Sequence, residues 1–248
     1  LKAQSGKPKT WYSAIGGKQE EGLGFYNADR FSWVANVEAN SAVIKQEVEQ
    51  FILHHQERIQ PYFNETLVSA PRKWKAFSFL FWKWPFSKNA ATCPETMRVL
   101  SQIPHLVSAS VSILEPNTAI HPHKGDTNAI YRCHLGLTIP AQLPDCGFQV
   151  NDEKRSWEEG KLLVFNDAAQ HQAWNNTNHK RYVLLFDVVR EEFAYKKYRI
   201  CAFVLATLLT QLLRQRFWLI RKAHWTVRKM LIYVIATFVW PLVRIRNL

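Results

Sequence analysis

The residues best suited to metal and carboxylate chemistry are concentrated in two short stretches of the chain. One begins His121-Pro-His123-Lys-Gly125-Asp126 and continues through Arg132 and His134 to Pro140. The other runs from Trp157 through Asp167 and His171 to Trp174, with Arg181 just beyond. His123 and His171 lie 48 residues apart. Neutral imidazoles bind ferrous iron well, and an oxygenase needs metal positions left open for its reactants. Two histidines on separate strands can converge on one ion. An arginine from a following strand can then grip a carboxylate through a two-pronged ion pair. Spacing alone does not select this pair from the nine histidines, since a single His near a turn is more often a surface or core residue. The four cysteines, Cys93, Cys133, Cys146 and Cys201, match no zinc, redox or disulfide pattern, and a reducing compartment is the simplest reading.

The elements that must position these groups read as short strands. Val107 to Ile113 alternates apolar and small polar residues. Tyr131 to Ile139 and Tyr182 to Val189 are rich in aromatic and branched residues. Phe148 to Val150 and Arg155 to Trp157 flank a turn at Asn151-Asp152-Glu153-Lys154. No long helical pattern separates these runs, which disfavours a parallel sheet with its helical crossovers. The expectation is a mainly β fold, a double-stranded β-helix of the jelly-roll or cupin-like kind, over residues 71–192. Residues 1–70 form a lead in which Ile44, Val48, Phe51, Ile52, His55 and Ile59 recur at helical spacing, with Asn40 or Ser41 as cap. That helix is expected to pack on the domain and do no chemistry. Leu1 to Lys18 is polar and has no signal-peptide core. With Leu rather than Met in first place, a start further upstream is expected. From Arg72 to Phe86 aromatic and basic residues mix. Phe77, Phe79 and Phe81 suit a strand with one buried face, whereas Trp82, Trp84 and Phe86 could touch lipid.

The net charge of +12 is unevenly spread. After Glu192 no acidic residue occurs, while eleven basic ones do: Lys196, Lys197, Arg199, Arg214, Arg216, Arg221, Lys222, Arg228, Lys229, Arg244 and Arg246. The remainder is nearly neutral, which argues against nucleic acid as a partner. Residues 193–248 also hold two uncharged runs, Ile200 to Leu213 and Met230 to Val243, each of 14 residues. Each is shorter than the roughly 20 residues of an independent spanning helix. Between them Trp218 and Trp225 lie among basic residues, as suits an anionic lipid surface. This segment is expected to be helical and membrane-associating, with Lys196, Lys197, Arg214, Arg216, Trp218, Arg221, Lys222, Trp225, Arg228 and Lys229 as contacts. The competing reading is a pair of helices packed on the domain.

Taken together, the two chemical stretches resemble the aspartyl/asparaginyl β-hydroxylase family. The resemblance spans about Ala70 to Arg190. It includes Cys93-Pro-Glu-Thr96, His123-x-Gly125, Asn128, and Arg132-x-His134-Leu-Gly-Leu-x-Ile-Pro140. It continues through Trp157-Glu-x-Gly160, Phe165-x-Asp167, His171, Trp174-Asn175 and Arg181. The resemblance implies an Fe(II)- and 2-oxoglutarate-dependent dioxygenase that uses dioxygen to hydroxylate an unactivated C–H bond. It implies His123 and His171 as the iron ligands. Arg181, with Ser112, would anchor the distal carboxylate of 2-oxoglutarate, and Arg132 with His134 the end nearer the metal.

Two marks of the resemblance pull apart on substrate. Related oxygenases bind iron with His-x-Asp/Glu plus a distant His, but here the carboxylate position is Gly125. The branch acting on Asp and Asn residues of proteins likewise lacks that carboxylate, with water in its place. Asp126 is one position late and would face the opposite side of a strand, although a turn could swing it in. The protein-hydroxylating branch also carries an arginine two residues before Arg132, where this chain has Ile130. That change removes the expected charge partner of an Asp side chain, and the basic tail resembles the lipid-hydroxylating branch, which works at the cytoplasmic leaflet. The expectation is a membrane lipid acyl chain of the lipid A or aminolipid type at the cytoplasmic face, with protein Asp or Asn as the alternative. A metal-free jelly-roll scaffold on membranes is the non-enzyme alternative, but it has no need of His123, His171 and Arg181 together.

Overall fold

Alternation in the central strand fixes which side of the sheet becomes the site. Ala109, Val111 and Ile113 enter a core beneath helices, while Ser108, Ser110 and Ser112 face a cavity on the other side. The computed structural model describes residues 9–16 and 24–245. The expectations for 1–8, 17–18 and Arg246 lie outside the described residues. The strands are β1 (Phe25–Tyr26), β2 (Gln60–Pro61), β3 (Trp74–Phe81), β4 (Trp84–Pro85), β5 (Leu106–Leu114), β6 (Thr118–His123), β7 (Ile130–Thr138), β8 (Cys146–Val150), β9 (Glu153–Arg155), β10 (Leu162–Phe165), β11 (His171–Asn175) and β12 (Arg181–Val189). The helices are α1 (Val34–Ala39), α2 (Ser41–His54), α3 (Ser87–Thr92), α4 (Pro94–Ser101), α5 (Lys197–Arg216), α6 (Trp218–Lys222) and α7 (Trp225–Ile245).

Every strand pairing is antiparallel. The larger sheet runs β1-β10-β7-β12-β5-β3-β2, with β4 on β3, and the smaller runs β6-β11-β8-β9. Two facing antiparallel sheets with short turns are the jelly-roll architecture expected from the sequence. The core between them holds Leu114, Phe148, Val150, Trp157, Phe165 and Val183. A second core lies behind the larger sheet, where α1, α2 and α4 bury Val37, Ile44, Val48, Phe51, Val99 and Leu100. Phe51 stacks on Phe77 with centroids 4.0 Å apart. Each such side chain contributes on the order of 1.5–3 kcal/mol by leaving water.

Several local readings shift. α2 ends at His54, so His55 and Ile59 are not helical. Backbone at His55 leaves the helical region (φ −133, ψ 43), and Ile59 reaches the same core from a non-helical position. Asn40 sits at the cap position, but α1 runs straight into it. Its side chain donates to the Asn36 carbonyl at 2.8 Å instead of capping α2. The β8–β9 hairpin turns on Asn151-Asp152, with Asn151 at φ 52, a left-handed position that Asn tolerates in a tight two-residue turn. Its second strand therefore lies two residues earlier than expected, and Trp157 leaves the strand to become fully buried. Phe77 and Phe79 are buried as expected of a one-faced strand. Trp82 is buried too, at 2% exposed, and cannot contact lipid, whereas Trp84 and Phe86 are exposed.

The two uncharged runs of the tail extend into helices of 20 and 21 residues, because the flanking basic residues continue the helical pattern. The two helices differ in environment. α5 buries Ile200, Cys201 and Val204 against Trp82, Val107, Ile130 and Val189 of the β domain. α7 packs on α5 through Ile232 against Phe203 and Ala206, and leaves most of its surface open. α7 is long and apolar enough to cross a membrane by length and composition. The segment after 193 is therefore not one tail but a domain helix carrying a second, exposed one.

Candidate active site

His123 ends β6 and His171 begins β11, and the two are register partners across that ladder. Their rings stand 4.2 Å apart between centroids. Each Nδ1 lies on the carbonyl two residues earlier, at 2.8 Å from His121 O and 2.9 Å from Ala169 O. An N–H donated there fixes the tautomer and leaves Nε2 as a lone-pair donor, the arrangement metal-binding imidazoles use. Burial lowers both pKa values, His171 well below the usual range, so both rings are neutral at physiological pH. Among the described residues no group of three or more His, Cys, Asp or Glu side chains surrounds a common point. The pair by itself leaves most metal positions open.

The carboxylate beside this pair is Asp167, whose Oδ1 is 3.8 Å from His171 Nε2. It also explains Gly125. A Cβ built on Gly125 would fall 1.7 Å from Asp167 Oδ2, so any side chain there collides with the aspartate. The Gly125 N–H donates to the Asp167 carbonyl at 2.7 Å, holding the two backbones together. Asp126 also lines the cavity, and burial lifts its carboxyl to about 6. Burial lifts Asp167 to about 7, while Arg132 pulls the other way.

Arg132 on β7 bridges two acids. Its Nε and Nη2 bond both oxygens of Asp187 at 2.7 and 3.0 Å, and Nη1 bonds Asp167. The fork is thus occupied, and these two carboxylates raise its pKa further. Arg181, at the start of β12, is the opposite case. It is 1% exposed and lies over the Trp157 ring at 4.7 Å, and its Nε has no hydrogen-bond partner. No ion pair to Arg181 occurs among the described residues. Burial lowers its pKa to about 10, which still leaves it cationic.

Around Arg181 other polar atoms await partners. Ser112 lies opposite Val183 on the neighbouring strand, and its Oγ accepts the Trp74 indole N–H at 3.0 Å, leaving its own hydroxyl proton to donate. His134 Nδ1 accepts from Trp157 at 3.3 Å, while its Nε2 is buried without a partner. Burial holds His134 neutral. Unpartnered buried polar groups cost on the order of 1–3 kcal/mol each, so native proteins keep few without a ligand or water to meet them. Arg181 Nε, His134 Nε2 and Asp167 Oδ2 are all in this state. Arg181 and His134 line one cavity of about 230 Å³ with the histidine pair, and Asp167 lies beside it, against Gly125. A ferrous ion at the histidines and a dicarboxylate reaching Arg181 fit this donor set.

Every residue singled out in the sequence as a site residue, His123, His171, Arg181, Ser112, Arg132 and His134, lines that cavity. Sequence reading did not assign Asp187 or Asp167 as partners of Arg132. A lone acid inside the apolar run Val183 to Val189 was the available signal. It also gave no hint that Leu208 and Gln211 of α5 form part of the wall.

Comparison with known proteins agrees with the order of these motifs. The aspartyl/asparaginyl beta-hydroxylase profile matches residues 38–191. The ornithine lipid ester-linked acyl 2-hydroxylase of Rhizobium tropici is 34% identical over 170 residues, which is 66% of this chain and 60% of that protein. The aspartyl/asparaginyl beta-hydroxylase of Homo sapiens is 32% identical over 120 residues, 45% of this chain and 16% of that protein. The chain thus spans less than two thirds of either relative's length. Among solved structures, a Pseudomonas putida prolyl-4-hydroxylase aligns with 63% of this chain and 99% of its own at 13% identity, with a TM-score of 0.41. The profile match takes in more than half of the residues, including both histidines and Arg181, and the chain belongs to the aspartyl/asparaginyl β-hydroxylase family.

Proposed function

We propose that this chain is an Fe(II)- and 2-oxoglutarate-dependent dioxygenase that hydroxylates an acyl chain of a membrane lipid. The observation that carries the reading is Arg181, a buried guanidinium without a carboxylate, in the same cavity as two histidines with free Nε2 atoms. His123 and His171 would hold the iron. Arg181 and the Ser112 hydroxyl would hold the far carboxylate of 2-oxoglutarate, with Trp157 keeping the guanidinium in place. His134 Nε2 would meet the end of 2-oxoglutarate nearer the metal, whereas Arg132, whose fork is taken by Asp187 and Asp167, would frame that part of the site rather than bind the co-substrate. When bound, iron and 2-oxoglutarate supply the oxidising power that places one oxygen atom of dioxygen in a C–H bond. The protein contributes ligation, orientation and a cavity walled by Trp74, Phe148 and Trp157 that excludes bulk water.

A lipid substrate is favoured by two features. Ile130, at the position where the protein-hydroxylating branch carries a substrate-reading arginine, is fully buried in the α5 interface. In addition, Val227, Met230, Val234, Phe238, Leu242 and Ile245 form an exposed apolar stripe on α7 at helical spacing. The basic residues at the stripe's ends and on α6 suit anionic headgroups, each contributing on the order of 1 kcal/mol near such a surface. These features support the reading of a membrane-associated enzyme, at the cytoplasmic face. Hydroxylation of protein Asp or Asn is the second reading, favoured by the missing carboxylate at Gly125. A metal-free scaffold gives no role to the unpartnered atoms around Arg181.

The decisive experiment compares lipids and proteome, by mass spectrometry, from matched cells with and without the enzyme. One added oxygen on an acyl chain, requiring His123 and His171, is the expected result. Oxygen appearing only on Asp or Asn residues of proteins would replace the lipid reading with the second one. Binding of the whole protein to phosphatidylglycerol vesicles should weaken with salt and on Arg228→Glu with Lys229→Glu. Indifference to both would remove the membrane.

A further inference from the structure

The serine row of β5 runs through the cavity lining, and the residues near its two ends differ in character. At the inner end are Arg181, His134 and Ser112. At the outer end are Leu208 and Gln211 of α5, the helix that packs on Trp82. The floor between is the serine face of β5. Ser108 marks the outer end, where its Oγ accepts the backbone N–H of Trp82, a residue packed in the α5 interface. Ser112 marks the inner end, held by Trp74. Four residues of strand separate them, about 13 Å at the rise of a β-strand. Small side chains make up that floor, and His123 and His171 line the same cavity.

Outward from the cavity the apolar surface continues. Leu208 and Leu212 are a turn apart on one face of α5, and Leu212 is 50% exposed. Trp218 and Leu219 follow on α6, at 55% and 73% exposed. Arg221 and Lys222 come next, and no acidic residue lies anywhere in this segment. An apolar path that starts among cations and ends in a cavity has the polarity of an anionic lipid, headgroup outside and chain inside.

We propose that the C-terminal half of α5 is the doorway of the active site, and that an acyl chain of a bilayer lipid enters past Leu208 and Gln211 and lies along Ser108 and Ser110 towards the histidines. This rests on the lipid reading above. It gives α5 two tasks: its N-terminal half closes the hydrophobic core through Ile200 and Val204, and its C-terminal half admits substrate. It also explains why α5 belongs to the domain rather than to a detachable anchor. A doorway must keep a fixed position relative to the metal.

The test uses the full chain with phosphatidylglycerol vesicles containing a phospholipid that bears a photoreactive diazirine at its acyl terminus. After irradiation, adducts are mapped by peptide mass spectrometry. In the wild type, adducts are expected on the β5 and β12 peptides carrying Ser110 and Leu185, as well as on α7. Leu208→Trp and, independently, Gln211→Trp should each cut the interior adducts by about tenfold while the α7 adducts persist. Thermal melting establishes that each variant is folded, and Gln211, more loosely held than Leu208, guards against a packing defect. Interior labelling equal to wild type in both folded variants would overturn the doorway and leave the lipid reading intact. A wild type labelled on α7 alone would overturn both.

Discussion

Arg132 and Arg181 are two guanidiniums in one cavity, on neighbouring strands of one sheet, and both are largely removed from water. They have opposite surroundings. Arg132 is clamped by Asp187 and Asp167, and its charge is neutralised within the fold. Arg181 has an aromatic ring above it and no carboxylate among the described residues. Burying a charge is tolerated when it is paired and hydrogen-bonded, and costs several kcal/mol when it is not. Arg132 is therefore part of the frame that holds the site, and Arg181 is a socket. An exposed arginine would carry no such message, because water would serve as its partner.

This contrast is open to direct attack. The largest effect should come from replacing each arginine with methionine, which keeps bulk and removes charge. Arg132→Met strands two buried carboxylates and should destabilise the fold by about 3–5 kcal/mol, read as a marked fall in melting temperature. Arg181→Met removes an uncompensated charge, so its ligand-free melting temperature should hold or rise while 2-oxoglutarate no longer stabilises it. Equal destabilisation by both would erase the distinction between frame and socket.

The next effect is on affinity. Arg181→Lys keeps the charge and loses the planar fork. Losing one charge-assisted hydrogen bond, worth about 1.5–3 kcal/mol, should raise the KM for 2-oxoglutarate by at least about tenfold. An unchanged KM would mean that Arg181 is not the anchor. Smaller still is the effect of a methyl group at Gly125. Its Cβ would meet Asp167, so Gly125→Ala should push the aspartate off Arg132, at about 1–3 kcal/mol of stability, and weaken iron binding in step. A variant with unaltered melting would mean that the Gly125–Asp167 approach is not tight.

The legible parts of this protein were those with a local pattern. Strand alternation at Val107 to Ile113 foretold β5, and His123, His171 and Arg181, singled out through the ordered motifs of the family resemblance, line one cavity. What stayed hidden depends on contacts distant in sequence. α4 begins at Pro94, and its first amides are capped from α2, where Glu47 accepts from Glu95 N at 2.9 Å and Thr96 N at 2.7 Å. Nothing near Pro94 announces that partner. Likewise α5 and α7 are both apolar and basic, and composition treats them alike. Only Trp82, Val107 and Ile130 decide that α5 is covered and α7 is not. Trp82 illustrates the same limit, since its aromatic-basic neighbourhood reads as lipid-facing while the fold buries it.

The central claim is that one cavity holds ferrous iron at His123 and His171 and 2-oxoglutarate at Arg181. Anaerobic titration of the whole protein with ferrous iron, followed optically before and after adding 2-oxoglutarate, tests it most directly. The account predicts binding of one equivalent of iron and a visible charge-transfer band that appears only with 2-oxoglutarate. His123→Ala should lose both, and Arg181→Met should retain the iron but need far more 2-oxoglutarate to form the band. A wild-type protein that takes up no iron, or whose band is indifferent to Arg181, would contradict it.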